Sequence, residues 1–537
     1  MLEFSRFCIT RFYNPETLMT VNRLNVLTIP VCAFVISAAA ACGKESAPAP
    51  GTSQASASRS AAPAGAASSA EATEAALSPA EEAARAGGLP TGVVEQKWTG
   101  DLDGMIDRRL IRVLTTYSKT NYFVDKGTQR GLVYDAFQIF ETELNKKLEN
   151  KHIRVYVVFV PVAHDELIPA LLDGRGDIVA AGKLATEWRR QSVDFTKPTR
   201  TGISSVVVTG PGAPPIKSVE DVGGKEIYLR QSDVSAEGVK RFNEQLTKAG
   251  KPPATIKPAP EVLADEDILE MVNAGLVPIT IADDEIAEFW KQVFPDLVIN
   301  ESAAVRTDGE TAMMIRKNSP QLMKELNAFV DRFGKGSAQG NMLLQKYLKS
   351  AKYAKQATRG EDVARFQKTV DLIRKYSGQY DLDYLLVAAQ GYQESGLDQN
   401  RKSPVGAVGV MQVMPATGAD MKVGDITQLD SNIHAGVKYM RFMMDNFYKD
   451  EPMDELNKGL MTFASYNAGP GRVSQLRKQA AARKLDPNKW FNNVEVIAAE
   501  RIGRETVQYV SNIYKYYLAY TMLLEQQQLR QKAKGGV

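Results

Sequence analysis

The chain has 537 residues, more than one ordinary hydrophobic core holds, so two folded domains are the first expectation. Its 66 basic and 63 acidic side chains nearly cancel, which excludes the strong positive field typical of nucleic-acid-binding proteins. The three cysteines all precede the folded part and the three histidines are scattered, so we expect no disulfide framework, no metal site and no cofactor.

The N-terminal region has the features of an export signal. An apolar run over residues 25–41 follows Arg23 and ends in small residues, which is typical of a secretory signal. The sequence A-A-A-C-G at 39–43 resembles a bacterial lipoprotein signal, which implies that residues 1–42 form the signal region and that Cys42 is lipidated. Gly43 in place of Asp implies sorting to the outer membrane, on its periplasmic face. A soluble secreted form is the alternative, and either Met1 or Met19 could be the start.

Residues 43–100 are predicted to form a flexible tether. Ala, Ser, Gly, Pro and Glu dominate positions 43–93, a composition that buries too little apolar surface to offset chain entropy. Such a tether would let an anchored protein reach away from the membrane.

Residues 101–350 show strand-like runs that alternate with amphipathic helical stretches. This alternation predicts an α/β domain with largely parallel sheets, and at this length we expect two lobes with a binding cleft between them. The polar, basic residues 351–362 are expected to link this domain to the next. The predicted strands are 111–115, 155–160, 177–181, 204–208 and 278–282, and the predicted helices include 134–147 and 166–172.

The segment 171–198 resembles the family of periplasmic solute-binding proteins for amino acids, through its Thr-x-x-Arg…Asp-Phe-Thr-x-Pro pattern. The resemblance implies that Arg189 clamps a ligand carboxylate, for which a planar guanidinium is well suited. It also implies ligand-binding roles for Ser232, in a loop where Gln231 replaces the usual glycine, and for Asp283, facing the ligand's amine. The ligand of this domain would be an amino acid or a muropeptide. A solvated surface arginine is the alternative for Arg189.

Residues 363–530 are predicted to form a mostly α-helical domain that ends in a long helix from about Thr506. Within it, Leu382, Leu385, Leu386 and Ala389 mark one buried helix face. We expect Asp381 to cap the start of this helix and Gly396 to follow its end in a left-handed conformation. Glu394 then lies in the last turn, where the negative end of the helix dipole raises its pKa and suits it to general acid catalysis.

Four signatures in order resemble the soluble lytic transglycosylase family, whose catalytic domain is lysozyme-like. They are Glu-Ser followed by S-P-V-G-A-V-G-V-M-Q-V-M-P to residue 415, N-I-H-A-G at 432–436, S-Y-N-A-G at 465–469 and E-T-V-Q-Y-V at 505–510. The order of the two domains, with the segment 266–275, further resembles the two-domain, membrane-bound lytic transglycosylases usually called F-type.

This resemblance implies a chemistry that needs one carboxyl group. Glu394 would protonate the leaving oxygen of a MurNAc–GlcNAc β-1,4 bond and then take the proton of the sugar's own 6-hydroxyl, which gives a 1,6-anhydro end in peptidoglycan. By the same resemblance the substrate-binding residues are Ser395, Ser403, Gln412, Met414, Tyr466, Asn467, Glu505 and Tyr509.

Two other functions are compatible with the residues. A muramidase that uses water would need a second carboxylate, and Asp398 does not match the family's pattern for one. A transport receptor or sensor with an inactive second domain is the other, although Glu394 and the Y-N-A-G motif are intact.

Overall fold

The computed structural model describes residues 96–150, 153–334, 336–351 and 360–534. The predicted signal, Cys42 and nearly all of the predicted tether lie outside the described residues, as does most of the predicted linker. Within the described ranges, no helix combines the length and the apolar character that crossing a membrane requires.

The first lobe of the first domain is built on a five-stranded sheet with the order β4-β1-β5-β12-β6, in which β12 (Met314–Arg316) comes from later in the chain. Strand β1 pairs in parallel with β4 and β5, whereas β12 runs antiparallel to β5 and β6. The elements are α1 (Leu102–Asp107), β1 (Leu110–Thr115), β2 (Phe123–Asp125), β3 (Thr128–Arg130), α2 (Leu132–Lys147), β4 (Tyr156–Pro161), α3 (Leu167–Leu172), β5 (Ile178–Val179), α4 (Glu187–Arg190) and β6 (Val193–Phe195).

The second lobe combines a three-stranded sheet of order β10-β7-β11 with a parallel pair, β8 and β9. The chain then returns to the first lobe through β12 and two helices. The elements are β7 (Arg200–Thr209), β8 (Glu226–Leu229), α5 (Val234–Lys248), β9 (Thr255–Pro258), α6 (Asp265–Asn273), β10 (Ile279–Asp283), α7 (Asp284–Lys291), β11 (Val298–Thr311), β12 (Met314–Arg316), α8 (Pro320–Phe333) and α9 (Ala338–Leu344).

The two-lobed α/β architecture is as predicted, but the expectation of largely parallel sheets is wrong for the second lobe. Strand β7 pairs antiparallel with both β10 and β11. The ten-residue β7 leaves the first lobe and the fourteen-residue β11 returns to it, so the two run side by side in opposite directions. Connections that cross between lobes in both directions therefore impose the antiparallel pairing.

The second domain is helical in the described part of the chain, as predicted. Its core is contiguous and includes Trp490, Met440, Phe463 and Val510, all buried. The helices are α10 (Gly360–Gln379), α11 (Tyr384–Ser395), α12 (Pro415–Met421), α13 (Leu429–Phe447), α14 (Glu455–Ala468), α15 (Pro470–Ala482), α16 (Glu495–Arg501) and α17 (Arg504–Lys534).

The first domain packs directly on the second. Leu110 and Val158, on β1 and β4, belong to the same buried cluster as the helical core. The tight hairpin of β2 and β3 also reaches the helices, because the Tyr392 hydroxyl donates to Thr128 Oγ1 at 2.9 Å and the Tyr520 hydroxyl donates to the Gly127 carbonyl at 2.7 Å. The described parts of the two domains therefore share an apolar and a polar interface.

Candidate active site

Glu394 lies in the last turn of α11, and both ends of this helix have defined caps. The side chain of Asp383, rather than the expected Asp381, accepts from the Leu385 backbone N–H at 2.8 Å. Asp381 lies two residues further out with a φ of +49°. Gly396 follows the helix at φ 71° and ψ 25°, the left-handed conformation predicted for it. These caps fix where α11 ends and hence where the carboxyl group of Glu394 points.

Within the described part of the chain, the carboxyl group of Glu394 is hydrogen-bonded by the hydroxyl of Tyr509 on α17. The hydroxyl donates to Glu394 Oε1 at 2.5 Å. Burial raises the pKa of Glu394 to about 7, and the hydrogen bond from Tyr509 opposes that rise. A carboxyl group with this pKa exchanges its proton near neutral pH, which general acid–base catalysis requires.

An open pocket surrounds this carboxyl group. Three of the predicted substrate-binding residues line it with Glu394: Asn467, Glu505 and Tyr509. Gln393, Arg504 and Gln508 line it too and were not predicted. Arg504 is exposed at the first position of α17, where the sequence departs from the family's usual pattern. This difference from the family's pattern, directly before the E-T-V-Q-Y-V motif, is the sequence feature that could have drawn attention to Arg504.

The loop after α11 is held by side chains that were predicted to bind substrate. The Ser395 hydroxyl is buried and donates to the Val410 carbonyl at 2.9 Å, so it fixes the loop against the helix end. Ser403 Oγ accepts from the Ala407 N–H at 2.9 Å. Gln412, at a φ of +45°, donates to the carbonyls of Arg401 and Gly409. The hydrogen bonds of these three side chains therefore hold the loop itself.

Met414 and Tyr466 present different surfaces. Met414 is 42% exposed just before α12, so its thioether is open to a ligand. The Tyr466 hydroxyl donates to the Met411 carbonyl at 2.8 Å, and the proximity of the Glu394 charge adds to the burial that raises the pKa of Tyr466. Tyr466 therefore lies near the carboxyl group of Glu394, on the α14 side. Asn467 Oδ1 accepts from the Thr506 hydroxyl at 2.6 Å, which ties α14 to α17.

Asp398, the acid nearest to Glu394 in sequence, serves the loop. It is exposed, and its Oδ1 accepts from the Asn400 N–H at 2.9 Å. Its own N–H donates to the Ser395 hydroxyl at 3.1 Å. These two hydrogen bonds hold Asp398 in the turn that follows α11.

The three predicted ligand-binding residues of the first domain lie at the boundary between the lobes. Arg189 is buried, and its terminal nitrogens donate to the Leu184 carbonyl at 2.8 Å and across the lobes to the Ser232 carbonyl at 3.2 Å. The Ser232 hydroxyl donates to Glu261 at 2.6 Å. A ligand carboxylate would therefore compete with backbone carbonyls for Arg189.

Arg189 and Asp283 line one pocket between the lobes, which we call the interlobe cleft. Asp283 accepts from the Ser205 hydroxyl at 3.3 Å, and burial raises its pKa to about 7, with nearby Asp265 adding to the rise. Other charged groups in the cleft were not predicted. They are Lys183, Arg200, Asp233 and Asp265.

Lys183 joins the two lobes inside this cleft. Its ammonium group lies 2.6 Å from His164 Nδ1 and 3.5 Å from Asp233 Oδ1. Burial lowers the pKa of both Lys183 and His164. A partly buried lysine in a strand-to-helix loop carries no sequence signal of its own, and only the fold brings Lys183 to the cleft.

Two regions of the chain match known domain families. Residues 111–350 match the bacterial extracellular solute-binding proteins, family 3, and residues 371–489 match the transglycosylase SLT domain. The chain is therefore a two-domain protein in which a solute-binding domain precedes a transglycosylase-type domain. Among solved structures, the crystal structure of the substrate binding protein of an amino acid ABC transporter covers 45% of this chain and 100% of its own, with 23% identity and a TM-score of 0.37.

Some relatives match this chain over most of both sequences. The membrane-bound lytic murein transglycosylase F of Desulfosudis oleivorans is 26% identical over 433 residues, which cover 76% of this chain and 89% of the relative. That of Pseudomonas putida is 26% identical over 451 residues, which cover 80% and 88%. The resemblance to the F-type proteins that the sequence predicts is confirmed.

Proposed function

We propose that this protein is a peptidoglycan lytic transglycosylase and that Glu394 is its single catalytic acid and base. The relatives named above support the reaction class. The observation that carries the role of Glu394 is its environment: a carboxyl group with a pKa near 7, hydrogen-bonded by Tyr509, at the wall of an open pocket.

In the proposed reaction, the carboxyl group of Glu394 first donates a proton and then accepts one. Protonated Glu394 gives its proton to O4 of GlcNAc while the bond from that oxygen to C1 of MurNAc breaks. The resulting carboxylate takes the proton of the MurNAc 6-hydroxyl while O6 bonds to C1, which closes the 1,6-anhydro ring. Water does not enter the balance, and Glu394 ends the cycle protonated. Because both steps use the same group, a pKa near the working pH serves both.

Substituting Glu394 by Gln tests this assignment, because the amide keeps the shape of the side chain and cannot exchange a proton. We expect digestion of purified sacculi to fall by at least about 10²-fold, the range of general acid–base catalysis. Ser377→Ala is a matched control, since Ser377 is buried in the same domain on α10. Full activity of Glu394→Gln in a folded protein would contradict the assignment.

Mass spectrometry of the wild-type digest separates two enzyme classes. A lytic transglycosylase gives anhydro ends that are one water lighter than the reducing ends that a muramidase gives. A water-using mechanism would need a second acid that works with Glu394, and Glu505 lines the same pocket. The pKa of Glu394, however, is set by burial and by the hydrogen bond from Tyr509, not by the charge of Glu505. We therefore expect anhydro ends, and reducing ends would identify a water-using mechanism.

We further propose that the interlobe cleft binds an amino acid or a muropeptide and that occupancy regulates cleavage. The cleft offers Asp283 to an amine, and Arg189 to a carboxylate once the carbonyl of Ser232 withdraws. Asp283→Asn should weaken ligand binding, measured by calorimetry with muropeptides, without loss of basal cleavage. Cleavage that is indifferent to every added fragment would remove the regulatory part of this proposal.

We propose that the protein works at the periplasmic face of the outer membrane, anchored by a lipid on Cys42. The sequence A-A-A-C-G carries this proposal, and residues 43–100 would serve as the tether of domains at 101–350 and 363–530, joined by 351–362. Metabolic labelling with a palmitate analogue tests the anchor. Labelling that persists in Cys42→Ser would contradict it.

A further inference from the structure

Gln390 is a buried amide beside the proposed catalytic pair. It lies on α11 one helical turn before Glu394 and is fully buried. Neither its Oε1 nor its Nε2 has a partner with the distance and angle of a hydrogen bond in the described part of the chain. The amide nevertheless lies close enough to Tyr509 to oppose the rise in pKa that burial gives the Tyr509 hydroxyl.

An unsatisfied amide in a helical core is costly, because it loses water without gaining a partner. The neighbouring positions of α11 show what the core accepts: Leu386, one turn earlier, and Ala389 are apolar and buried. A leucine at position 390 would avoid the cost. Chemistry at the adjacent Glu394–Tyr509 pair is a reason for an amide to be there.

We propose that Gln390 is a positioning residue that aims the Tyr509 hydroxyl at Glu394. A hydroxyl group has one proton and two lone pairs. When the Gln390 Nε2–H donates to Tyr509 Oη, it occupies one of these lone pairs. The single O–H proton of Tyr509 then points away from Gln390 and toward Glu394 Oε1. The inference rests on the proposed function, since it assigns a role relative to the same carboxyl group.

The chain from amide to hydroxyl to carboxylate strengthens when Glu394 is ionised, because each donor polarises the next. That ionised state exists between the two proton transfers of the proposed cycle. Gln390 would therefore favour the carboxylate and hold the pKa of Glu394 down, within reach of neutral pH.

Other titratable and charged groups also lie around Glu394. Tyr509 and Glu505 come from α17 and Tyr466 comes from α14, while Arg504 lines the same pocket. On the loop side, Arg401 Nη1 donates to the Ser395 carbonyl at 3.4 Å. Substituting Gln390 by a neutral residue leaves all of these charges in place, so a change in the pKa of Glu394 would come through Tyr509.

The pH dependence of cleavage tests the inference in the full-length protein. In Gln390→Leu we expect kcat to fall about threefold to tenfold with KM unchanged, and the basic limb of the kcat–pH profile to move upward by roughly 0.3 to 1 pH unit. Tyr509→Phe should move the same limb upward by at least as much. The double variant Gln390→Leu/Tyr509→Phe should show no further movement, because Gln390 acts through the hydroxyl that Tyr509→Phe removes.

A matched control separates positioning from packing. Ser377 Oγ is also buried without a hydrogen-bond partner in the described part of the chain, and it lies on α10. Ser377→Ala should leave the pH profile where it is. The pH dependence of thermal unfolding gives a readout without turnover: the titration attributed to Glu394 should move upward in Gln390→Leu and stay in Ser377→Ala.

The outcomes distinguish this inference from the proposed function. If Glu394→Gln is inactive and Gln390→Leu leaves both titrations unmoved, the role of Gln390 is wrong and the catalytic assignment stands. Movements that add in the double variant would also overturn the role. If Glu394→Gln is active, the catalytic assignment itself is wrong.

Discussion

At the scale of single residues, burial of Glu394 lowers the stability of the folded protein near neutral pH. Its pKa is raised from the ordinary 4.5 to about 7, with burial as the cause. The folded state therefore binds the proton more tightly than the unfolded state does. The sign follows: the stability of the fold falls as the pH rises from about 4.5 to about 7, and the loss is complete above the folded value.

Glu394→Gln should reveal this cost, because the amide has no charge to bury. We expect the variant to be as stable as wild type near pH 4 and more stable by roughly 1–3 kcal/mol at pH 8, each shift of one pKa unit being about 1.4 kcal/mol. Urea unfolding at the two pH values measures the difference. Equal stability at both values would mean that Glu394 is not held in the environment described above.

The residue scale also shows what the sequence alone can predict of the site. Glu394 and Tyr509 could be predicted to share one site because each lies in a motif that resembles a motif of the family. Gln390 was missed because an amide at a buried helical position is visible only once the packing of α11 against α17 is known. The expected cap at Asp381 was displaced to Asp383 because two acids two residues apart compete for one helix start, and the sequence does not rank them.

At the scale of elements, the hairpin of β2 and β3 connects the first domain to α11, the helix that carries Glu394. Its tip, Gly127, has a φ of +84°, and a Cβ there would lie 3.0 Å from the ring of Tyr392 and 3.2 Å from the Tyr520 hydroxyl. Tyr392 lies two residues before Glu394 on α11. The absence of a side chain at the tip is therefore what allows the hairpin to seat between α11 and α17.

Gly127→Val should unseat this hairpin. Left-handed backbone costs a valine roughly 1–2 kcal/mol, and overpacking adds about 1–3 kcal/mol. Gly250→Val is the matched control, because Gly250 has a φ of +71° and nothing within 4 Å of an added Cβ. Thermal unfolding should show a larger loss for Gly127→Val than for Gly250→Val. Equal losses would mean that the hairpin tip is not packed between the helices.

Element boundaries were predictable where hydrophobic patterns are strong. The predicted strand 111–115 corresponds to β1 (Leu110–Thr115), and the final helix, α17, starts at Arg504, close to the expected Thr506. Strand β11 was missed because its exposed and buried positions do not alternate and its register with β7 shifts repeatedly. Its strand conformation comes from pairing with β7, which is a tertiary effect.

At the scale of the whole molecule, α17 joins the pocket at Glu394 to both lobes of the first domain. Its 31 residues span roughly 46 Å at about 1.5 Å per residue. Tyr509 lies at Glu394, Lys515 forms an ion pair with Glu141 of the first lobe at 2.8 Å, and Arg530 forms one with Asp267 of the second lobe at 2.5 Å. The guanidinium of Arg530 also stacks over Tyr117 of the first lobe at 4.2 Å. A change in the lobes thus has a continuous element through which it could reach the site.

A buried ion pair between Arg109 of the first domain and Glu495 of the second tests how firmly the domains are joined. The side chain of Glu495, on α16, is fully buried and accepts from Arg109 Nη1 at 2.6 Å and from Arg109 Nη2 at 3.0 Å. Glu495→Leu leaves the guanidinium of Arg109 without its carboxylate, and removing one partner of a buried pair typically costs about 3–5 kcal/mol. The double variant Arg109→Leu/Glu495→Leu removes both charges and should recover most of that loss.

Denaturant unfolding of the wild type, both single variants and the double variant gives the four free energies of unfolding of a double-mutant cycle. Because the pair joins the two domains, we expect the single variants to unfold in two separated transitions, with the helical domain and the first domain melting independently. The coupling free energy should exceed about 1 kcal/mol, since the two side chains contact each other directly. A coupling free energy near zero, with one unchanged transition in every variant, would mean that this ion pair does not hold the domains together.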